Sequence, residues 1–214
     1  MDNDFLTLIN DLEDELDGNP NIILESFKTP LPLSKREQEV VQGVTPSSIF
    51  EFHQNLNGLN IEWEINKKQS SDVKDIKGSV KILSLKEIIQ DWKGVVYFDF
   101  TPESGRIRSF HPIDFFVDEA CVGAFLNEKD RQELSLYLYS FEGEPVNLNL
   151  NIEGYIQMMV LSKGFLYWQY SIIEILLDKE NPVSHRFKEW MPELFPDFSW
   201  EKYIQKYNQL RIQT

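Results

Sequence analysis

The sequence predicts an α+β fold, and three observations carry the prediction. Residues 59–66 alternate strictly between apolar and polar; a series of short apolar runs between residues 95 and 141 is divided by turn residues; and apolar residues recur at helical spacing near both ends of the chain. Short connections between the apolar runs favour antiparallel pairing.

Taken in order, Phe5, Leu8, Ile9, Leu12 and Leu16 form one face of a helix whose other faces carry Asp11, Glu13, Asp14, Glu15 and Asp17, until Gly18-Asn19-Pro20 ends the pattern. Ser34 and Glu37 have the spacing of a capping box and start a helix that runs to about Gln42. A further helix has Thr45 as its cap and Pro46 in its first position. Ile49, Phe50, Phe52, His53 and Leu56 form its packing surface, and Asn57-Gly58 ends it.

The alternating strand then places Leu59, Ile61, Trp63 and Ile65 on one face and Glu62 and Glu64 on the other. Residues 67–77 are polar and predict a loop, with a short strand over residues 80–83 after it. Ser84 and Glu87 repeat the capping-box spacing, so a short helix with Leu85, Ile88, Ile89 and Trp92 on one face follows, stopped by Gly94.

Residues 95–100, 107–110, 115–117, 121–126 and 134–141 predict successive strands, and the alternation at Val146, Leu148 and Leu150 predicts a last edge strand or an extended entry to the next helix. Ile152, Tyr155, Ile156, Met159 and Val160 share a helical face, Gly164 marks a break, and an aromatic run leads into a helix over residues 172–177. Beyond Asn181-Pro182 the prolines 192 and 196 punctuate the chain. Ser199 then caps a helix with the stripe Trp200, Tyr203, Ile204 and Tyr207, which needs either this chain or a partner to cover it. The organisation expected is an acidic helix over residues 1–30 packed on the core, an α+β domain over residues 31–178 and a helical extension over residues 179–214.

Composition narrows the function classes. Hydrophobic residues make up 42% and aromatics 13%, so the chain carries enough apolar surface to fold despite a net charge of -14. Asp and Glu outnumber Lys and Arg 35 to 21, a balance that repels nucleic acid and anionic membranes and favours a cationic partner. No apolar run approaches the roughly 20 residues that span a bilayer, and Met1-Asp2-Asn3-Asp4 lacks the features of a secretory leader, so a cytoplasmic location is expected. The single cysteine, Cys121, excludes an intramolecular disulfide and a multi-cysteine metal site.

The three histidines, His53, His111 and His185, show no metal-ligand spacing; the nearest grouping is His111 and Asp114 with Asp118 and Glu119. Nucleophile-elbow, phosphate-loop and dinucleotide signatures are absent from the sequence. No catalytic residue, metal or cofactor is therefore expected.

The helix ending Phe52-His53-Gln54-Asn55-Leu56-Asn57-Gly58, the strand with Trp63, the unit Val80-Lys81-Ile82-Leu83-Ser84-Leu85-Lys86-Glu87-Ile88, the helix beginning Ile152-Glu153-Gly154-Tyr155-Ile156 and the late Gly164-Phe165-Leu166-Tyr167-Trp168-Gln169 together resemble the SUKH superfamily. This group holds fungal glucan-synthesis regulators and many bacterial immunity proteins. The resemblance spans residues 31–170. Val44-Thr45-Pro46 stands where the family has a Leu-Pro opening, and the tail after Tyr170 has no counterpart in it.

The resemblance implies a single mostly antiparallel sheet flanked by helices, fold-determining roles for Asn57, Gly58, Trp63 and Trp168, and a binding role without catalytic residues. The leading expectation is an immunity protein that occludes a cognate toxin, a basic domain, through an acidic surface made of Glu62, Glu64, Asp99, Asp114, Asp118 and Glu119. A regulator or scaffold for an endogenous partner is the alternative, and a hydrolase with unsigned carboxylates is the third.

Overall fold

The computed structural model describes residues 4–30, 32–41, 46–66, 76–126 and 134–212. Among them the chain forms eight α-helices and one seven-stranded antiparallel sheet whose strand order follows the sequence, β1 to β7. The fold is α+β, as expected. The chain divides into two compact units, Met1–Lys28, Asn60–Val80 and Glu153–Arg211 in one, and Thr29–Leu59, Lys81–Ile152 and Ile212–Thr214 in the other.

The first unit begins with α1 (Asp4–Asp17), which buries Ile9, Leu12 and Leu16 and exposes its acidic residues. Strand β1 (Ile22–Lys28) pairs antiparallel with β2 (Leu59–Ile65). Along β2 the burial alternates as the sequence dictates: Leu59, Ile61, Trp63 and Ile65 are buried, Glu62 is exposed and Glu64 half-buried. Trp63 is the largest of these side chains. Its indole Nε1 donates to the Lys163 carbonyl at 2.7 Å, and its ring meets Phe165 and Phe195 edge-on at 5.9 Å each.

Gly78, at the start of β3 (Lys77–Ile82), makes room for that ring, since a Cβ there would lie 2.0 Å from the Trp63 Nε1. Helix α5 (Ile152–Leu161) ends before Ser162, and the chain reverses through Lys163 and Gly164, both at positive φ, before α6 (Gln169–Leu177).

Helix α7 (Ser184–Leu194) is not anticipated by the sequence reading, because Pro192 was expected to punctuate the chain. The proline lacks the N–H that would bond the Lys188 carbonyl, but only two helical residues follow it, and Phe187, Met191 and Leu194 bury the face that holds the helix in place. Glu174 fixes α7 to α6 by accepting from the Lys188 Nζ at 2.7 Å and from the Ser184 hydroxyl. Helix α8 (Trp200–Leu210) is capped by Ser199 and buries Tyr203 and Tyr207 completely, so this chain itself covers much of the aromatic stripe; the Tyr203 hydroxyl accepts from Ser171 at 2.9 Å.

In the second unit, α2 (Lys35–Val41) starts at the Ser34 and Glu37 capping box, with the Ser34 N–H donating to the Glu37 carboxylate at 2.9 Å. Helix α3 (Ser47–Asn55) follows Pro46, which stands just before the helix rather than in its first position. The expected Thr45 cap, residues 67–75 of the polar loop and the turn at 127–130 lie outside the described residues. Asn57 links two elements by accepting the Leu85 N–H at 2.9 Å, and Gly58 follows at φ 116°, a value only glycine adopts readily. Ser84 and Glu87 form both halves of the second capping box, and α4 (Leu85–Ile88) is one turn long.

Strands β4 (Phe110–Val117), β5 (Ala120–Phe125), β6 (Tyr137–Tyr139) and β7 (Val146–Asn147) complete the sheet. Two expectations are corrected here. Residues 95–100 form turns and not a strand, because their backbone groups are satisfied locally: Val95 and Val96 donate to the Trp92 carbonyl, and Gly94 donates to that of Tyr97. Residues 106–109 form a 3-10 turn, and extended structure begins only at Phe110.

The seat of Trp63 gives a direct test of the first unit. Gly78→Ala is expected to lower stability by about 3 kcal/mol in urea unfolding followed by circular dichroism, since neither the ring nor the strand has room to move apart cheaply. A change below about 0.5 kcal/mol would place Trp63 elsewhere.

Candidate partner-binding surface

The segment between α4 and β4 is anchored from below and decorated with aromatics on top. Trp92 is buried: its Nε1 donates to the Ile88 carbonyl at 3.1 Å, and its ring stacks on Phe115 of β4 at 5.8 Å. Phe115 in turn meets Phe141, and Phe141 meets Tyr139 of β6, so a row of rings fastens the segment to the sheet. The Arg108 guanidinium holds the far side. Its Nε donates to the Pro102 carbonyl at 3.0 Å and its NH2 group to the Thr101 carbonyl at 2.5 Å, while the group lies 4.9 Å over the Tyr97 ring. Tyr97 donates its hydroxyl to Asp91, which holds that carboxyl below its usual range, and the Phe98 N–H donates to the Thr101 hydroxyl at 3.1 Å.

With part of its backbone thus engaged, the segment leaves three large apolar side chains exposed to different degrees. Phe100 is 85% exposed, and Phe98 and Val95 are 43% exposed each. Phe98 and Phe100 stack on one another, with centroids 5.4 Å apart and planes 6° from parallel, so the pair forms one flat apolar plate. Exposing a phenylalanine instead of burying it costs about 2 kcal/mol, and this plate carries two. Asp99, between them in sequence, pairs with the Lys93 ammonium at 2.5 Å, which holds its carboxyl below the usual range.

The residues expected to form an acidic surface fall in different places. Asp99 flanks the plate, and Asp118 and Glu119 are exposed at the turn from β4 to β5, three and four residues beyond Phe115. Three residues of extended strand span about 10 Å, so this acidic turn borders the anchored segment's support. Glu62 and Glu64 belong to the other unit, on β2, where they pair across to Ser26 and Ile23 of β1.

Asp114 is a correction: it is fully buried and accepts the Lys81 N–H at 2.9 Å, so its carboxyl serves the junction of β3 and β4 and not the surface. Extended chain on both sides of Asp114 gave no sign of this. A register shift in β4 next to it turns the side chain inward. The plate itself was missed because its residues were expected to lie in a strand; the turn-rich Thr101-Pro102-Glu103-Ser104-Gly105 that follows is the signal that separates the two.

Both ring nitrogens of buried His53 face carbonyls, Ile49 at 2.8 Å and Leu83 at 3.0 Å, and His111 contacts the Ile88 carbonyl at 2.7 Å. Burial pushes the Cys121 thiol up and shields it from reagents. Among the described residues no group of three or more His, Cys, Asp or Glu is placed to hold a metal ion, and no helix is long and apolar enough to cross a membrane. Compared with family models, curated proteins and solved structures, the chain matches none.

Two substitutions distinguish the surface from its support. Phe100→Ala is expected to change unfolding free energy by less than about 0.5 kcal/mol, whereas Asp114→Ala, which leaves the Lys81 N–H without its carboxylate, is expected to cost about 2 kcal/mol. Chemical denaturation measures both, and the reverse order would contradict these placements.

Proposed function

We propose that this chain is a SUKH-type immunity protein, not an enzyme, that acts in the cytoplasm by binding a cognate toxin and occluding it. One observation carries the reading: the stacked Phe98 and Phe100 plate is exposed on a segment whose own backbone is tied down. An ordered, solvent-facing aromatic pair is what a protein interface uses as its anchor, since rigid rings lose little freedom on binding and bury a large apolar area.

Charge supports the identity of the partner. Asp99 lies between the two rings in sequence, and the whole chain carries -14, so a basic protein domain is drawn in quickly by charge while the rings supply most of the affinity. Glu62 and Glu64 are not needed for this surface. A regulator of an endogenous partner would use the same plate, and the assay below separates the two.

The test is growth rescue. Cells expressing a basic toxin domain captured with the chain from lysate are expected to survive when the chain is co-expressed, and to die when it carries Phe98→Ala and Phe100→Ala, a variant expected to stay folded. Two such rings lost from an interface weaken binding by at least about 100-fold. Death in the presence of the unaltered chain would overturn the immunity reading in favour of the regulator.

A further inference from the structure

The first unit holds a feature at odds with the composition of the chain. Between α1, α5 and α8 runs a groove of about 440 Å³, within the size range of small-molecule sites. Its apolar lining is Leu8 of α1 with Val160 and Leu161 of α5. Helix α8 contributes Lys202, Gln205, Lys206 and Gln209, a spacing that puts all four on one helical face, and Gln157 and Lys163 face them.

Although acidic residues outnumber basic ones 35 to 21 in the chain, no carboxylate lines this groove. The Lys163 ammonium is paired with Glu15 at 2.5 Å. Lys202 and Lys206 have no carboxylate partner among the described residues, and as like charges four residues apart they weaken the helix that carries them. In an acidic chain, two uncompensated ammonium groups side by side over a concave surface form an anion site. The amides of Gln205 and Gln209, and the oxygen of Gln157, whose Nε2 donates to Glu153 at 3.4 Å, offer donors and acceptors that suit hydroxyl groups on a neutral body.

We propose that this groove binds a phosphorylated small molecule of the sugar phosphate class, with Lys202 and Lys206 holding the phosphate dianion and the glutamine amides holding the hydroxyl-bearing body. The apolar lining gives the body a face to rest on. The site is independent of the aromatic plate, so it stands or falls separately from the immunity reading.

Calorimetric titration of the full chain with glucose 6-phosphate tests it, with glucose as the uncharged control. Saturable binding is expected for the phosphate ester and not for glucose. Lys202→Gln with Lys206→Gln is expected to weaken it at least about tenfold, while Lys35→Gln with Lys86→Gln, which removes as much charge elsewhere, leaves it unchanged. Circular dichroism checks that both variants stay folded. No saturable binding, equal binding of glucose, or equal loss in the two double variants would overturn the proposal.

Discussion

The seat of Trp63 is the constraint on which the first unit depends. One indole touches three parts of the chain that are far apart in sequence: the Gly78 backbone on the adjoining strand, the Lys163 carbonyl 100 residues on, and the rings of Phe165 and Phe195. None of these contacts forms locally, so each depends on the others. The missing side chain at Gly78 leaves room for the ring beside β3, and the reversal at Lys163 and Gly164 turns a carbonyl toward the indole. Once that carbonyl is committed, α6 leaves in a fixed direction and Glu174 can fasten α7 to it. The aromatic packing of Phe187 against Phe165, Phe198 and Tyr203 then gives α8 its place.

The second unit is organised around polar links at chain turns. Asn57 accepts from Leu85, Ser84 exchanges bonds with Glu87, and buried Asp114 accepts from Lys81, so one local and two long-range links pin the chain without long helices. Above them the ring row from Trp92 through Phe115 to Phe141 and Tyr139 ties the segment before β4 to the sheet. Stability below permits exposure above. Arg108 satisfies the Thr101 and Pro102 carbonyls and Thr101 the Phe98 N–H, and the apolar plate is left for another surface to cover.

Much of this is legible in the sequence, and the physical reason differs by element. The β2 alternation is unambiguous because one face of the strand is entirely buried, and the capping boxes at Ser34 and Ser84 are read correctly because their bonds are made within four residues. The stripe on α8 is legible for the same reason as β2, a single buried face. Strand β1 is not, since only Ile22 along it is fully buried and an edge strand imposes no alternation. Helix α7 is hidden by Pro192, whose effect depends on how close to the helix end it falls. Apolar content made residues 95–100 look like a strand, although the bonds of Val95, Val96, Tyr97 and Phe98 close turns with Trp92, Gly94 and Thr101. Of the acidic residues expected on the surface, Asp114 failed because a register shift, invisible to alternation, carries it inside.

The functional account rests on the aromatic plate acting as an interface anchor on a strongly acidic chain. The most direct measurement is a side-by-side capture from lysate of the source organism and its close competitors, using the tagged full chain and its Phe98→Ala/Phe100→Ala variant, read by mass spectrometry after low-salt and high-salt washes. The account predicts one basic protein enriched by the unaltered chain, depleted by high salt and absent from the variant. The same protein retained by both chains, or none retained by either, would contradict it.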